Sequence, residues 1–203
     1  MVDTVYTIGY AGFAMEDFMV ELRQNRIALV VDVRSDPHSQ WHSEYNMEHM
    51  RLVLKKAGIY YRNYAEEFGA RQEDRTFYPK GYLDFELFAE SPQFKHGVEK
   101  LVNSMKKEYR FALMCAERDP FECHRCILVA RAFHELGYRV VHLLPGGAVC
   151  TQTDIEARLL NRFEPNRDQG NMFEPMLDEA QYLARAYRKQ NAEIGFKPEG
   201  EEK

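Results

Sequence analysis

The chain has 203 residues, of which 45 % are apolar and 29 % charged, a composition typical of one large globular domain or of a domain with an appendage. Its net charge of −5 excludes the overall positive field by which proteins attract extended nucleic acid or anionic membranes. We expect a cytoplasmic protein with reduced cysteines, because the first residues lack a signal-peptide pattern and no apolar run approaches the ~20 residues that span a bilayer.

In the first half of the chain, short apolar runs alternate with helical patterns. The predicted strands cover residues 4–9, 27–34 and 59–64, and the predicted helices cover 15–25 and 46–58. Residues 65–81 contain two glycines and a proline among charged residues, which predicts a long surface loop. Connections of that length are often functional.

The second half continues the alternation and then changes. It predicts helices at 82–91, 94–107 and 123–137 and strands at 110–116 and 138–144. The fold class is therefore α/β, with a mostly parallel five-stranded sheet and helices on both faces. We expect this domain to occupy residues 1–147, with a helical extension packed on it at 148–193 and a disordered tail at 194–203. The helices of the extension are predicted at 153–163 and 174–191.

The stretch ALMCAERDPFECHRC, residues 112–126, gathers the chemistry of the chain. Ligands of parallel α/β sheets collect beyond the carboxyl ends of strands, where we expect Cys115 and Arg34 to lie. Asp119 and Pro120 predict a turn that leads into a helix beginning near Cys123. Such a helix start attracts anions and lowers the pKa of a thiol.

The sequence thus predicts one polar pocket for a small anionic or nucleotide-like ligand. Cys115 or Cys123 would be the nucleophile and Glu117 or His124 the acid–base group, while Arg34 and Arg125 would hold the anion. Ligand-binding roles are also expected for Gly9 and Tyr10, which follow the first strand. A nucleic-acid-associated or ligand-binding module without catalysis is the alternative, in which Cys115 is a buried structural thiol and Glu117 pairs with an arginine.

Cys123 and Cys126 form a C-x-x-C pattern, which occurs in redox pairs and in halves of zinc sites. No second ligand pair stands at zinc spacing, so the sequence predicts no metal ligands and names no cofactor. A metal or redox site remains an alternative hypothesis.

Several motifs resemble the domain-of-unknown-function 488 family. They are YTIGY, VVDVRSDPHS, GIYYRNY, EFGARQ, ALMCAERDPFECHR and LGYRVVHL, in this order over residues 4–144. The resemblance implies a compact α/β domain with no agreed reaction. The polar and turn positions it shares with this chain are Gly9, Asp32, Arg34, Cys115, Glu117, Asp119, Pro120, Cys123, His124 and Arg125. Tyr10 and Ala11 stand where the family commonly has His and Ser, and Cys126 is an addition of this chain.

A second resemblance is to rhodanese-like sulfurtransferases. The segments LVVDVR, ALMCAE, ILVARAFHELGY and VVHLLPGG follow the order seen there. The resemblance implies sulfur transfer through Cys115. The loop after Cys115 is longer than in those enzymes and carries three acids, which raise the pKa of a nearby thiol and repel an anionic substrate.

Overall fold

A six-stranded sheet runs through residues 3–167 and 177–198, which the computed structural model describes. Its strands are β1 (Thr4–Gly9), β2 (Leu29–Asp32), β3 (Tyr60–Asn63), β4 (Phe111–Cys115), β5 (Arg139–Leu143) and β6 (Val149–Thr151). They lie in the order β3-β2-β4-β1-β5-β6. All neighbouring strands are parallel except β5 and β6. The α/β class with a mostly parallel sheet is therefore confirmed.

The helices connect these strands. They are α1 (Met15–Gln24), α2 (Met47–Lys56), α3 (Ala65–Phe68), α4 (Phe85–Ala89), α5 (Pro92–Met105), α6 (Arg131–Glu135), α7 (Gln152–Phe163) and α8 (Glu179–Ile194). Residues Arg125–Ala130 form a π-helical segment that continues directly into α6. None of the described helices is long and apolar enough to cross a membrane.

The sheet has one more strand than the sequence predicts. β6 is only three residues long and contains no apolar run, so it carries no strand signal of its own. It pairs with β5 through a tight connection in which the Leu144 N–H donates to the Ala148 carbonyl. Pro145, Gly146 and Gly147 provide the turn and do not mark the end of the sheet.

Alternating residues of the central strands enter two separate cores, because successive side chains of a strand point to opposite faces. On one face α1 and α2 cover the sheet, and the buried side chains there include Ile8, Phe18, Leu22, Val30 and Leu54. On the other face α3 to α8 cover it, and the buried side chains include Val5, Val31, Phe94, Leu113 and Leu159. Helices thus lie on both faces, as predicted.

The segment 65–81 contains structure that its composition does not reveal. It begins with α3, whose Phe68 is buried and packs edge-on against Phe94 of α5. Gly97 on α5 permits this approach, since a Cβ there would lie 2.8 Å from the Phe68 ring. The rest of the segment runs along the surface.

The two C-terminal helices pack on the second core. Tyr187 of α8 is buried there, and the Gln190 side chain donates to the Phe121 carbonyl at 2.8 Å. Beyond α8, Phe196 packs against the same core and its carbonyl accepts from the Leu83 N–H. The start of the predicted helix, residues 174–176, and the tail residues 199–203 lie outside the described residues.

Candidate functional site

Three strand ends meet at one edge of the sheet. β1 ends at Gly9, β4 ends at Cys115, and Arg34 lies two residues beyond β2. Backbone pairing continues past the strands, because the Tyr10 N–H donates to the Cys115 carbonyl and the Val33 N–H donates to the Met114 carbonyl, both at 3.0 Å. The predicted site residues are therefore held on adjacent, rigidly paired backbones.

Two thiols and an imidazole converge behind this edge. The Sγ atoms of Cys115 and Cys123 and a ring nitrogen of His124 all lie within 4.8 Å of one another, and all three residues are buried. The Cys123 thiol donates to Oε2 of Glu117 at 2.8 Å. We call Cys115, Glu117, Cys123 and His124 the sulfur cluster.

The backbone fixes how His124 faces the thiols. Its Nε2 lies 2.9 Å from the Val33 carbonyl oxygen, which can only accept a hydrogen bond. In the neutral ring the proton is therefore on Nε2, and the lone pair of Nδ1 points toward Cys115 Sγ, 3.9 Å away. The imidazole is thus oriented by a group that takes no part in the cluster.

Burial and charge distribute the protons of the cluster unevenly. Burial raises the pKa of Cys115 well above its usual value, and the neighbouring Cys123 raises it further. Burial and Cys123 also raise the pKa of Glu117. Burial opposes ionisation of Cys123 as well, yet hydrogen bonding from Cys115 and the positive charge of Arg125 hold its pKa well below the usual value. Cys123 is therefore the more acidic of the two thiols.

Arg125 and Gly9 clamp the loop that carries Glu117. Arg125 is fully buried, and its Nη1 donates to the Glu117 carbonyl at 2.6 Å. That carbonyl lies directly against Gly9, where an added Cβ would be 1.7 Å from the oxygen. Any larger residue at position 9 would displace the loop. Arg125 thus ties the loop, and its guanidinium does not line the cavity described next.

A cavity of about 370 Å³ opens at this edge of the sheet. Its wall includes five of the eight residues that the sequence singles out, namely Tyr10, Arg34, Cys115, Glu117 and His124. Gly9, Cys123 and Arg125 lie behind that wall. A wider groove of about 890 Å³ at the amino ends of the strands is lined by none of the eight predicted site residues.

Arg34 is the buried charge of the cavity wall. Its Nε donates to Oδ1 of Asp32 at 2.8 Å and its Nη2 donates to the Tyr45 carbonyl at 2.9 Å. The Tyr10 ring, stacked on Tyr45, lies 5.2 Å from the guanidinium carbon. Nη1 is buried and has no hydrogen-bond partner in the described part of the chain. One nitrogen donor of this buried cation therefore has no hydrogen-bond partner among the described residues.

Ten further residues line the cavity, and four of them lie on segments that the sequence analysis did not connect with the site. Arg71, Ile194 and Phe196 are among these four, and they are far from the motif stretch along the chain. The Arg71 guanidinium carbon lies 5.0 Å from the centre of the Phe196 ring. The motif EFGARQ contains Arg71 and was an available signal, whereas nothing in the charged C-terminal sequence indicates that Phe196 folds back here.

Comparison with known proteins identifies the family. The family model described as "Domain of unknown function DUF488" matches residues 14–132, more than half of the chain. The chain belongs to this family. The match includes Arg34 and the whole sulfur cluster, whereas β1, β5, β6 and the two C-terminal helices lie outside it. No curated protein and no solved structure matches the chain.

In this DUF488 chain the C-x-x-C pattern is divided between two environments. Cys126 lies 3.6 Å from Nε2 of His142 and 3.6 Å from the side-chain oxygen of Gln152, on the side of the π-helical segment that faces α7. Burial and the charge of Arg125 lower the pKa of His142 to about 3, so this imidazole is neutral. The two cysteines of the pattern therefore have different side-chain partners.

The Asp-Pro element of the DUF488 chain forms the predicted turn. Asp119 Oδ1 accepts from the Phe121 N–H at 2.9 Å, and Pro120 begins a short 3₁₀ turn. Arg158 of α7 donates to both Asp119 oxygens and stacks over the Phe121 ring. The C-terminal extension thus fixes the outer side of the loop that bears Glu117.

Proposed function

We propose that this chain binds a small anionic, nucleotide-like ligand in the cavity at the strand ends. The observation that carries the proposal is the unpartnered Nη1 of Arg34, a donor of a permanently charged and nearly fully buried side chain on the cavity wall. Leaving such a donor without a partner is costly. The cavity volume, about 370 Å³, lies within the range of small-molecule sites.

Two acidic side chains of the cavity wall are already partnered by basic residues. Asp36 on the wall accepts hydrogen bonds from His38, and Glu122 forms an ion pair with Arg162 at 3.6 Å. Burial raises the pKa of Glu117. Asp32 compensates the charge of Arg34, whereas Arg71 at the rim adds an exposed guanidinium.

Binding is favoured over catalysis by the state of the thiol that faces the cavity. Among the described lining residues Cys115 is the only cysteine, and burial beside Cys123 raises its pKa. Sulfur transfer, which the rhodanese resemblance implies, needs a thiolate at that position. In a reaction, Cys115 would be the nucleophile facing the ligand, with Glu117 and His124 as the acid–base groups.

Calorimetric titration with inorganic phosphate and with adenosine monophosphate tests the proposal at low ionic strength. Saturable binding is expected, and Arg71→Ala should weaken it by about tenfold, the equivalent of about 1.4 kcal/mol. Arg75→Ala is the matched control, because Arg75 is exposed four residues further along and does not line the cavity.

Two further variants separate the roles of the buried residues. Arg34→Lys keeps the charge but loses the forked donors, so it should weaken binding more than Arg71→Ala does. Cys115→Ser should leave affinity within about twofold, since a thiol and a hydroxyl are both neutral. The proposal would be overturned if neither probe binds saturably. Equal losses of affinity in Arg71→Ala and Arg75→Ala would also overturn it.

A further inference from the structure

The sulfur cluster has the dimensions of a metal site. A tetrahedral zinc ion with bonds of about 2.0–2.3 Å to nitrogen and sulfur separates its ligand atoms by roughly 3.5–3.8 Å. In the structure, Cys115 Sγ and His124 Nδ1 are 3.9 Å apart, and the three candidate ligand atoms lie within 4.8 Å of one another. Small rotations of these side chains would close a tetrahedral set around one ion.

Glu117 is the nearest candidate for a fourth donor, although its carboxylate lies outside the group of three ligand atoms. Oε2 of Glu117 lies 2.8 Å from Cys123 Sγ, on the loop that Arg125 holds against Gly9. Carboxylate oxygen completes zinc sites that contain cysteine and histidine. The backbone that carries this carboxylate is fixed by contacts independent of the cluster, so only the side chain of Glu117 would have to move to reach an ion.

The surroundings of His124 match those of a metal ligand. Ligating histidines almost always donate their second ring N–H to a carbonyl or carboxylate, which directs the free lone pair at the metal. Nε2 of His124 does so with the Val33 carbonyl at 2.9 Å and leaves Nδ1 toward the sulfurs. A purely structural histidine does not need two thiols at its other nitrogen.

The electrostatic balance also suits a dication. Two thiolates and a carboxylate carry three negative charges, and a zinc ion with the buried guanidinium of Arg125 carries three positive charges. Buried charges are stable only when they are compensated in this way. Cys115, Glu117 and His124 also line the cavity, which gives an ion a route from solvent.

We propose that Cys115, Cys123 and His124 bind one zinc ion, with Glu117 as the fourth ligand. Both thiols enter the site as thiolates and their protons pass to the buffer, with no change of oxidation state. The proposal is independent of the anionic ligand, because it rests on the sulfur cluster and not on Arg34 or Arg71. It assigns the metal to Cys115 and Cys123, of which only Cys123 belongs to the C-x-x-C pattern.

Cobalt substitution of the reduced, metal-free full chain tests the proposal. One equivalent of Co²⁺ should bind with the visible absorption of a tetrahedral ion and with sulfur-to-cobalt charge transfer. Zn²⁺ should displace it at one equivalent. X-ray absorption of the zinc-loaded wild-type chain should then show two sulfur neighbours and two nitrogen or oxygen neighbours, a readout that needs no variant to fold.

Cysteine variants assign the ligands. Cys115→Ser and Cys123→Ser should each weaken zinc binding by more than the roughly 10–100-fold that loss of a supporting partner costs. Cys126→Ser and Cys150→Ser are the controls and should bind as wild type, because their thiols lie outside the cluster.

Three results would overturn the metal proposal. They are the absence of charge transfer in protein with four titratable reduced thiols, a single sulfur neighbour in the absorption spectrum, or an equal loss of binding in the Cys126 variant. Phosphate titration of the same metal-free protein reports on the cavity separately. Failure of one proposal is therefore distinguishable from failure of the other.

Discussion

At the scale of single residues, the carboxylate of Asp32 holds the cavity wall together. It is fully buried and accepts hydrogen bonds from the Arg34 side chain, the Arg34 N–H and the Tyr61 hydroxyl, the last at 2.6 Å. Its negative charge compensates the buried guanidinium. Removing that charge leaves Arg34 as an uncompensated cation in the interior, which is among the costliest single changes a protein can suffer.

We therefore expect Asp32→Asn to lower the free energy of unfolding by about 3–5 kcal/mol, the usual cost of breaking a buried ion pair. Tyr61→Phe is the control, because it removes one hydrogen bond to the same carboxylate and should cost about 1 kcal/mol. Urea denaturation at neutral pH measures both. Equal effects of the two variants would show that the charge of Asp32 does not stabilise Arg34.

Single residues were predictable where the signal was local. Cys115, Glu117, Cys123 and His124 lie within ten positions, and the strand–loop–helix pattern around them was sufficient to bring them together. Arg71 and Phe196 reach the same cavity only through tertiary contacts, which no local pattern encodes. The sequence could not show that Arg125 bonds to loop carbonyls either, because those partners exist only after the loop has folded.

At the scale of elements, the long strands and helices were predictable and the short ones were not. β1 and α7 lie within one residue of their predicted bounds, since each has clear periodicity and a clear end. α3 and β6 have four and three residues and are stabilised by their neighbours, so their own sequence carries too little signal. Tertiary contacts decide such elements.

The junction between α7 and α8 depends on one carboxylate. Glu164 follows α7, is buried, and accepts from Nε of Arg185 at 2.7 Å and from Nζ of Lys189 at 2.9 Å, both on α8. Hydrogen bonds from Arg185 lower the pKa of Glu164, with a further contribution from Lys189. Glu164 thus prefers to be charged in the folded chain more strongly than in the unfolded chain.

A lowered pKa makes this junction sensitive to acid. The stabilisation is complete above the unfolded pKa of about 4.3 and is lost as the pH falls below that value and through the folded pKa. Glu164→Gln should lower the free energy of unfolding by about 1–3 kcal/mol at neutral pH and should flatten its decline between about pH 5 and pH 3. Denaturant titrations across that range measure both effects, with the exposed Glu73→Gln as the control. An unchanged decline would contradict this role.

At the scale of the whole molecule, the part that matches the family depends on the part that does not. Ile155 and Leu159 of α7 and Tyr187 of α8 enter the same core as the sheet. The Asn191 side chain accepts from the Phe85 N–H and donates to the Leu83 carbonyl, so α8 also satisfies buried backbone. Residues 14–132 therefore do not contain the whole core.

A chain ending at residue 147 should fail to form a native core. Removing β6, α7 and α8 exposes the apolar face that these elements cover. Each Å² of apolar surface left exposed lowers the free energy of unfolding by about 25 cal/mol. We expect this fragment to aggregate or to lose near-ultraviolet circular dichroism, and expect coexpression of residues 148–203 to restore solubility. A soluble fragment with cooperative unfolding would show that the helical extension is dispensable.

The π-helical segment lies between two residues of the site and the part of the helix that packs in the core. A π turn closes its hydrogen bonds over five residues, so it accommodates one residue more than an α turn. That extra residue turns the side chains before it by about 100° relative to an unbroken α-helix, the angle of one step in a 3.6-residue turn. Cys123 and His124 precede the segment, whereas Phe133 follows it in α6 and packs in the core. Losing one residue between 125 and 130 would thus swing Cys123 and His124 away from Cys115 while leaving the buried face of α6 in register with the sheet.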